Sequence, residues 1–256
     1  MNIIRQPRVY LLGRQQLEPG ELERFLADHG LSWSTDTEIG AQQLCEAAGR
    51  LCYMSFGKGR KSNADYLANL ISSAHGSVLE HAAWNFIITG VSRSFTHELV
   101  RHRAGFGYSQ LSQRYVDETT ADFVEPDCIA DDPELHAVWL AAVEQAQRAY
   151  CRLVEGLARR FADEPDPTLR RKLARQAARS VLPNATETKI FVTANARALR
   201  HFIEARANEH AETEIRKVAL EVLRIMRREA PNIFADYEIV TLPDGTQVVR
   251  TEHRKV

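Results

Sequence analysis

Apolar residues along the chain recur at two spacings, and each spacing predicts elements. Arg8–Leu12 reads as a short first strand, and Glu21–His29 is polar with helical character. Glu38–Cys52 predicts a helix, because Ala41, Leu44, Cys45 and Ala48 recur on one side. Ala64–Ser73 continues as helix. Trp84–Thr89 is bulky and β-branched, which predicts a strand broken by Gly90. A helix then starts at Ser92 and runs through Arg93, Thr96, His97 and Leu99 towards His102. Asp132-Pro133-Glu134 opens a long helix reaching about Phe161, since acidic residues favour the first turn and proline suits its first position. Asp166-Pro167 is a second such start, leading into a basic helix with Arg170, Arg171, Lys172, Arg175 and Arg179. Lys189–Thr193 predicts a strand, and Ala198–Arg228 one long helix stopped by Pro231. Tyr237–Leu242 and Thr246–Arg250 read as a hairpin turned at Asp244-Gly245, with the last residues frayed.

Composition narrows the class. A chain of 256 residues without a Gly/Ser-rich or Pro-rich linker predicts one domain, long enough to bury about three quarters of its surface. The formal net charge of -1 supplies no global field for a nucleic-acid polymer, though a local basic pocket for a mononucleotide is compatible with it. Cys45, Cys52, Cys128 and Cys151 show no C-x-x-C spacing and read as small buried or half-buried residues. With no signal-peptide pattern and no bilayer-length apolar run, the expectation is a reduced, cytoplasmic protein with no membrane partner.

The chemistry concentrates in Arg101–Tyr115. Arg101, His102 and Arg103 come first, Gly105 and Gly107 form a bend, and Ser109, Gln110, Ser112 and Gln113 lead to Arg114 and Tyr115. Guanidinium groups hold planar oxyanions through paired hydrogen bonds, and glycines let backbone approach a ligand. The stretch therefore reads as a site for an anionic, hydrogen-bond-rich small molecule such as a nucleotide. His97-Glu98 followed by His102 imitates the zinc motif H-E-x-x-H, but the second histidine is one position late. At ~100° per residue, positions five apart diverge by about 140° around a helix, so no metal site is expected. Ser55–Ser62 is basic and glycine-containing, reading as a solvated, mobile loop, with a lid over an anionic ligand as the alternative. No G-x-G-x-x-G follows a strand, so a Rossmann cofactor site is not expected.

Arg101-His102-Arg103 followed by Gln110–Tyr115 resembles the signature of the flavin-dependent thymidylate synthases. The blocks His75–His81, Gln176–Asn184 and Arg200–Arg206 resemble further family blocks, in the family's order, and the resemblance extends from about Trp33 to Val248. It implies an α+β fold: a single domain with a central, twisted, mainly antiparallel sheet and long helices. It also implies C5 methylation of deoxyuridine monophosphate (dUMP) with FAD, NADPH and methylenetetrahydrofolate, in a homotetramer whose sites are shared between subunits. By the same resemblance Arg206 is the catalytic residue that stabilises negative charge at the pyrimidine N3. Glu98, Arg101, Gln110, Leu111, Ser112, Arg114 and Arg179 line the nucleotide with Arg206, its phosphate near Ser112 and Arg114. Ser77, His81, Arg101, His102, Arg103, Asn195, Arg197 and His201 serve the flavin. Ala196 stands where many members carry a larger residue. Eight residues separate Arg103 from Ser112, one more than is usual in the family, because Ala104–Tyr108 is longer. That insertion raises UMP as an alternative substrate, a longer turn making room for a ribose hydroxyl.

Overall fold

The computed structural model describes residues 1–60 and 62–256, and it is α+β with an antiparallel sheet. In chain order the strands and helices are β1 (Ile3–Ile4), β2 (Arg8–Arg14), α1 (Pro19–Asp28), α2 (Gly40–Cys52), α3 (Asn63–Ser72), β3 (Ala83–Ser92), α4 (Arg93–Leu99), β4 (Phe106–Gln110) and β5 (Phe123–Val124). They continue with α5 (Asp127–Ala130), α6 (Pro133–Arg160), α7 (Pro167–Ala178), β6 (Glu187–Asn195), α8 (Ala196–Arg206), α9 (Thr213–Glu229), β7 (Glu238–Thr241) and β8 (Gln247–Arg250). The largest sheet has the order β2-β3-β6-β4. Its bonds run antiparallel: Asn195 N–H donates to Gly105 O and Leu111 N–H to Lys189 O, so residue numbers rise on one strand as they fall on the other.

Several helix starts follow directly from sequence. Asp132 accepts from the Glu134 and Leu135 N–H groups at 2.9 and 3.2 Å, and Asp166 from Thr168 at 2.8 Å. Ser62 caps α3, Ser92 caps α4 and Asn195 caps α8 in the same way, each side-chain oxygen taking one orphan donor of the first turn.

The chain forms two compact units. One comprises Met1–Arg8, Ile88–Arg101 and Ser109–Phe191; the other comprises Val9–Ile87, His102–Tyr108 and Val192–Val256. In the first, β1 pairs in parallel with β5, and Ala121, Phe123 and Val143 bury a small core beside Trp139 and Leu140. In the second, Trp84 meets Phe234 edge-on, and α9 buries Ile215, Val218, Val222, Leu223 and Met226 along one face at helical spacing.

Six expectations are corrected. Gly90 does not end its strand: β3 runs to Ser92, with Gly90 at φ +66 donating its N–H to Glu187 Oε1 at 2.9 Å. A Cβ there would stand 3.0 Å from the Gln6 carbonyl, so glycine lets the strand kink and continue. The single helix over 198–228 is two helices. Asn208 donates to the Ala205 carbonyl and accepts from His210 N–H, while β8 takes the Ala207 carbonyl through Val249 N–H. Those bonds satisfy the end of α8 and leave no ladder to propagate. The C-terminal residues pack instead of fraying: Val256 is buried, Lys255 N–H donates to Glu204, and fully buried Arg200 donates to the His253 carbonyl.

The basic loop is clipped down. Buried Arg50 donates to the carbonyls of Ser55, Lys58 and Arg60 and ion-pairs with buried Glu46, so the loop's backbone is anchored from inside. Lys61, part of the segment read as a lid, lies outside the described residues. Cys45 is buried, its thiol pushed up to about 12 by burial, and Cys151 is half-buried, but Cys52 and Cys128 are exposed. β1, β4 and β5 carried too few residues for a two-residue period to show; β4 alternates its burial as a strand should where a bend was expected.

Candidate active site

The predicted nucleotide residues, Arg206 excepted, all fall in the first unit. Glu98 is half-buried on α4, and Arg101 follows the helix, its Nε donating to the His97 carbonyl at 3.2 Å. Gln110 ends β4, and its amide donates to the hydroxyls of Thr96 and Thr188 at 3.1 and 3.3 Å. Those two buried threonines therefore fix the glutamine from α4 and β6. Leu111 extends the ladder through Lys189 O, and Ser112 opens a turn whose carbonyl accepts from Tyr115 and Val116 N–H. Arg179 is the C-cap of α7, as its place at the end of the basic helix predicted.

Around this segment the buried donors outrun their acceptors. Arg93 Nη1, Gln113 Nε2 and Arg114 Nε are buried and find no partner among the described residues. Burial lowers the Arg93 pKa, Glu118 opposes that, and Arg179 adds to it as a second cation nearby. Three unmet donors on two strongly basic side chains and an amide suit an anion with several acceptor oxygens. Arg93 and Gln113 were not among the predicted site residues. Their only sequence signal is position: one follows the capping Ser92, and the other lies inside the signature itself. On the acceptor side, Glu118 Oε1 is likewise unmet, and burial raises the Glu118 pKa against the pull of Arg93.

The predicted flavin residues, Arg101 excepted, fall in the second unit with Arg206. Arg206 ends α8, and its Nε donates to His102 Nε2 at 3.0 Å. This bond requires an unprotonated His102 Nε2, which places the ring proton on Nδ1. The same imidazole meets His201 edge-on at 5.7 Å and Phe202 at 5.3 Å, while Tyr108 donates to its carbonyl at 2.7 Å. Burial raises the Tyr108 pKa, which keeps that hydroxyl a donor. After Arg103 the chain turns at Gly105, φ +73, whose carbonyl accepts from Asn195 N–H. Asn195 caps α8, so this turn and the start of α8 are built together.

Ser77 lies in a 3-10 turn, Gly76–His81, that packs against α2 and α8. Ser77 and Arg197 line one cavity of about 280 Å³ together with Tyr53 and His75, and Arg197 ion-pairs with Glu80 at 2.6 Å. His81 and Arg103 are exposed, and Ala196 is wholly buried. A roomier cleft of about 950 Å³, lined by Glu204, His210, Tyr237, Arg250 and neighbours, contains none of the predicted residues. Its walls mix both signs of charge, and no chemistry converges there. His102 lies beyond the end of α4, off the helix that would have carried a zinc motif. Among the described residues no three metal-ligating side chains come together, and no helix is long and apolar enough to cross a membrane.

Comparison with known proteins adds an independent finding. The family described as "Thymidylate synthase complementing protein" matches residues 35–232. Proteins named flavin-dependent thymidylate synthase from Mycobacterium avium and Mycolicibacterium vanbaalenii are each 54% identical over 227 residues, covering 88% of this chain and 90% of the relative. The protein of that name from Mycobacterium tuberculosis is 52% identical over the same span.

Proposed function

Because the chain belongs to the flavin-dependent thymidylate synthases, we propose that it is an FAD-dependent methyltransferase that converts dUMP to dTMP. Methylenetetrahydrofolate is the carbon donor and NADPH the reductant. The observation that carries the reading is the Arg206–His102 bond, which sets the predicted catalytic arginine against the predicted flavin residues within one unit.

The residues divide the work. Methylating C5 without a protein nucleophile needs an electron-rich pyrimidine, which polarising N3 provides. Arg206, held by His102, is the fixed cation for that charge, and a fixed charge in a dry pocket needs no reorganisation as the reaction proceeds. C5 forms a bond to the one-carbon unit, the C5 proton leaves, and tetrahydrofolate is the folate product. Ser112, Arg114 and Arg179 take the nucleotide phosphate, with the unmet donors of Arg93 and Gln113 supporting an anion there. Gln110, braced by two threonines, and half-buried Glu98 orient the base and sugar.

The flavin residues suit a dinucleotide. Ser77 and Arg197 share a cavity, and the capped N-terminus of α8 favours negative charge beside Arg197. When bound, FAD supplies the hydride that completes the methyl group. We infer one catalytic domain over 1–256, a homotetramer with shared sites, and a cytoplasmic setting. Exposed Leu135, Val138 and Leu153 on α6 support an assembly, which the mass in solution tests.

The direct test is tritium release from C5-labelled dUMP and UMP with FAD, NADPH and methylenetetrahydrofolate present. Release is expected from dUMP alone. The longer turn supports this, since Gly105 packs on Asn195, among the flavin residues, where a ribose preference would not be set. Release from UMP would restore the turn to the nucleotide, and no release from either by a flavin-bound protein would overturn the function.

A further inference from the structure

We propose that Arg175 is a positioning residue for the nucleotide site, acting through Tyr115, the last signature residue, and the segment that follows it. This inference rests on the function proposed above and adds a residue that the family signature does not contain. Arg175 lies one turn before Arg179 on the same face of α7. Although the helix is strongly basic, the Arg175 side chain is only 16% exposed. Nη1 donates to the Tyr115 carbonyl at 2.6 Å, and Nη2 to Asp117 Oδ2 at 2.7 Å. Tyr115 directly follows Arg114, and Asp117 lies two residues further on.

The clipped segment has a second anchor. Gln147 of α6 donates to the carbonyls of Glu118 and Thr119 at 2.7 and 2.6 Å, and Asp117 accepts from Thr119 N–H through its other oxygen. The stretch 115–119 is thus tied by α6 at its far end and by α7 at its near end. Only the α7 tie comes from the helix that also carries Arg179. Arg175 therefore fixes the register between Arg114 and Arg179, two cations assigned to one phosphate. A lysine keeps the charge but holds only one partner at a time, because the planar fork is what spans carbonyl and carboxylate together. Burial works against the Asp117 carboxylate, yet its bonds to Thr119 and Arg175 hold its pKa below the ordinary range. The clip is accordingly complete at neutral pH and is lost as pH falls through that lowered value.

Steady-state kinetics on the FAD-loaded full chain test this, comparing wild type with R175M, R175K and D117N. R175M is expected to raise the KM for dUMP roughly tenfold, the scale of losing a charge-assisted hydrogen bond. Its kcat should stay within about twofold, with FAD affinity unchanged, because arginine clips position without touching the reacting atoms. R175K should recover part of the loss, and D117N should raise KM while retaining the Tyr115 contact. An unchanged KM in R175M would overturn the proposal. So would a fall in kcat, FAD affinity and melting temperature together, since that pattern marks a general fold defect. Wild type that binds FAD but not dUMP would overturn the proposed function and this inference with it.

Discussion

Glu118 shows what a single residue in this site carries. It is 5% exposed, one carboxylate oxygen has no partner among the described residues, and burial raises its pKa. A carboxyl whose folded pKa is raised binds its proton more tightly in the folded chain. Its contribution to stability is therefore full at low pH and declines as pH climbs through the ordinary glutamate range towards the raised value. Glu118→Gln removes the ionisation and keeps the shape. It should melt about 3 °C above the parent at pH 7, a shift of the size about 1 kcal/mol gives in a chain of this length. The two should converge as pH falls below the ordinary glutamate range. A less stable variant at pH 7 would show Glu118 acting as the charged partner of Arg93.

At the scale of elements, caps and turns were legible in the sequence because their chemistry is local. Asp132, Asp166 and Ser92 each act within three residues, and each starts its helix. The Asp244-Gly245 hairpin has the expected strands, in the register Glu238↔Arg250 to Thr241↔Gln247. What sequence could not show depends on partners far along the chain. Arg50 holding three loop carbonyls, Arg200 holding the tail, and β8 capturing the end of α8 leave no local pattern. The site divides the same way. The signature and its arginines were readable, whereas Arg93 and Arg175 emerge only from their burial and hydrogen bonds. The Gly105 turn makes the point testable. An alanine Cβ there would stand 2.7 Å from the Asn195 amide and 2.8 Å from Ala198 Cβ, at φ +73. Gly105→Ala should cost about 1–2 kcal/mol for the left-handed backbone and about 1 kcal/mol more if the Asn195 cap is displaced. Its FAD affinity, followed by flavin fluorescence, should fall while dUMP affinity holds. The reverse pattern would assign the turn to the nucleotide.

Across the whole molecule, the two predicted residue sets separate by unit. Glu98, Arg101, Gln110, Leu111, Ser112, Arg114 and Arg179 belong to the first unit, and Ser77, His81, His102, Arg103, Asn195, Arg197, His201 and Arg206 to the second. The boundary falls inside the motif Arg101-His102-Arg103, so adjacent residues of one short sequence serve different units. Hydrogen exchange reads such a division directly, because each ligand slows exchange where it stabilises backbone. FAD alone should protect 76–81, 102–105 and 195–201, and dUMP added to the FAD-loaded protein should protect 98–101, 109–116 and 178–182. Besides Arg101, which belongs to both sets, Arg206 is the informative exception: assigned to the nucleotide, it lies in the flavin residues' unit. Its helix end at 204–207 should gain protection in both steps. If dUMP protects 109–116 but leaves 204–207 as FAD left it, Arg206 does not reach the pyrimidine, and the electrostatic role assigned to it fails while phosphate binding stands.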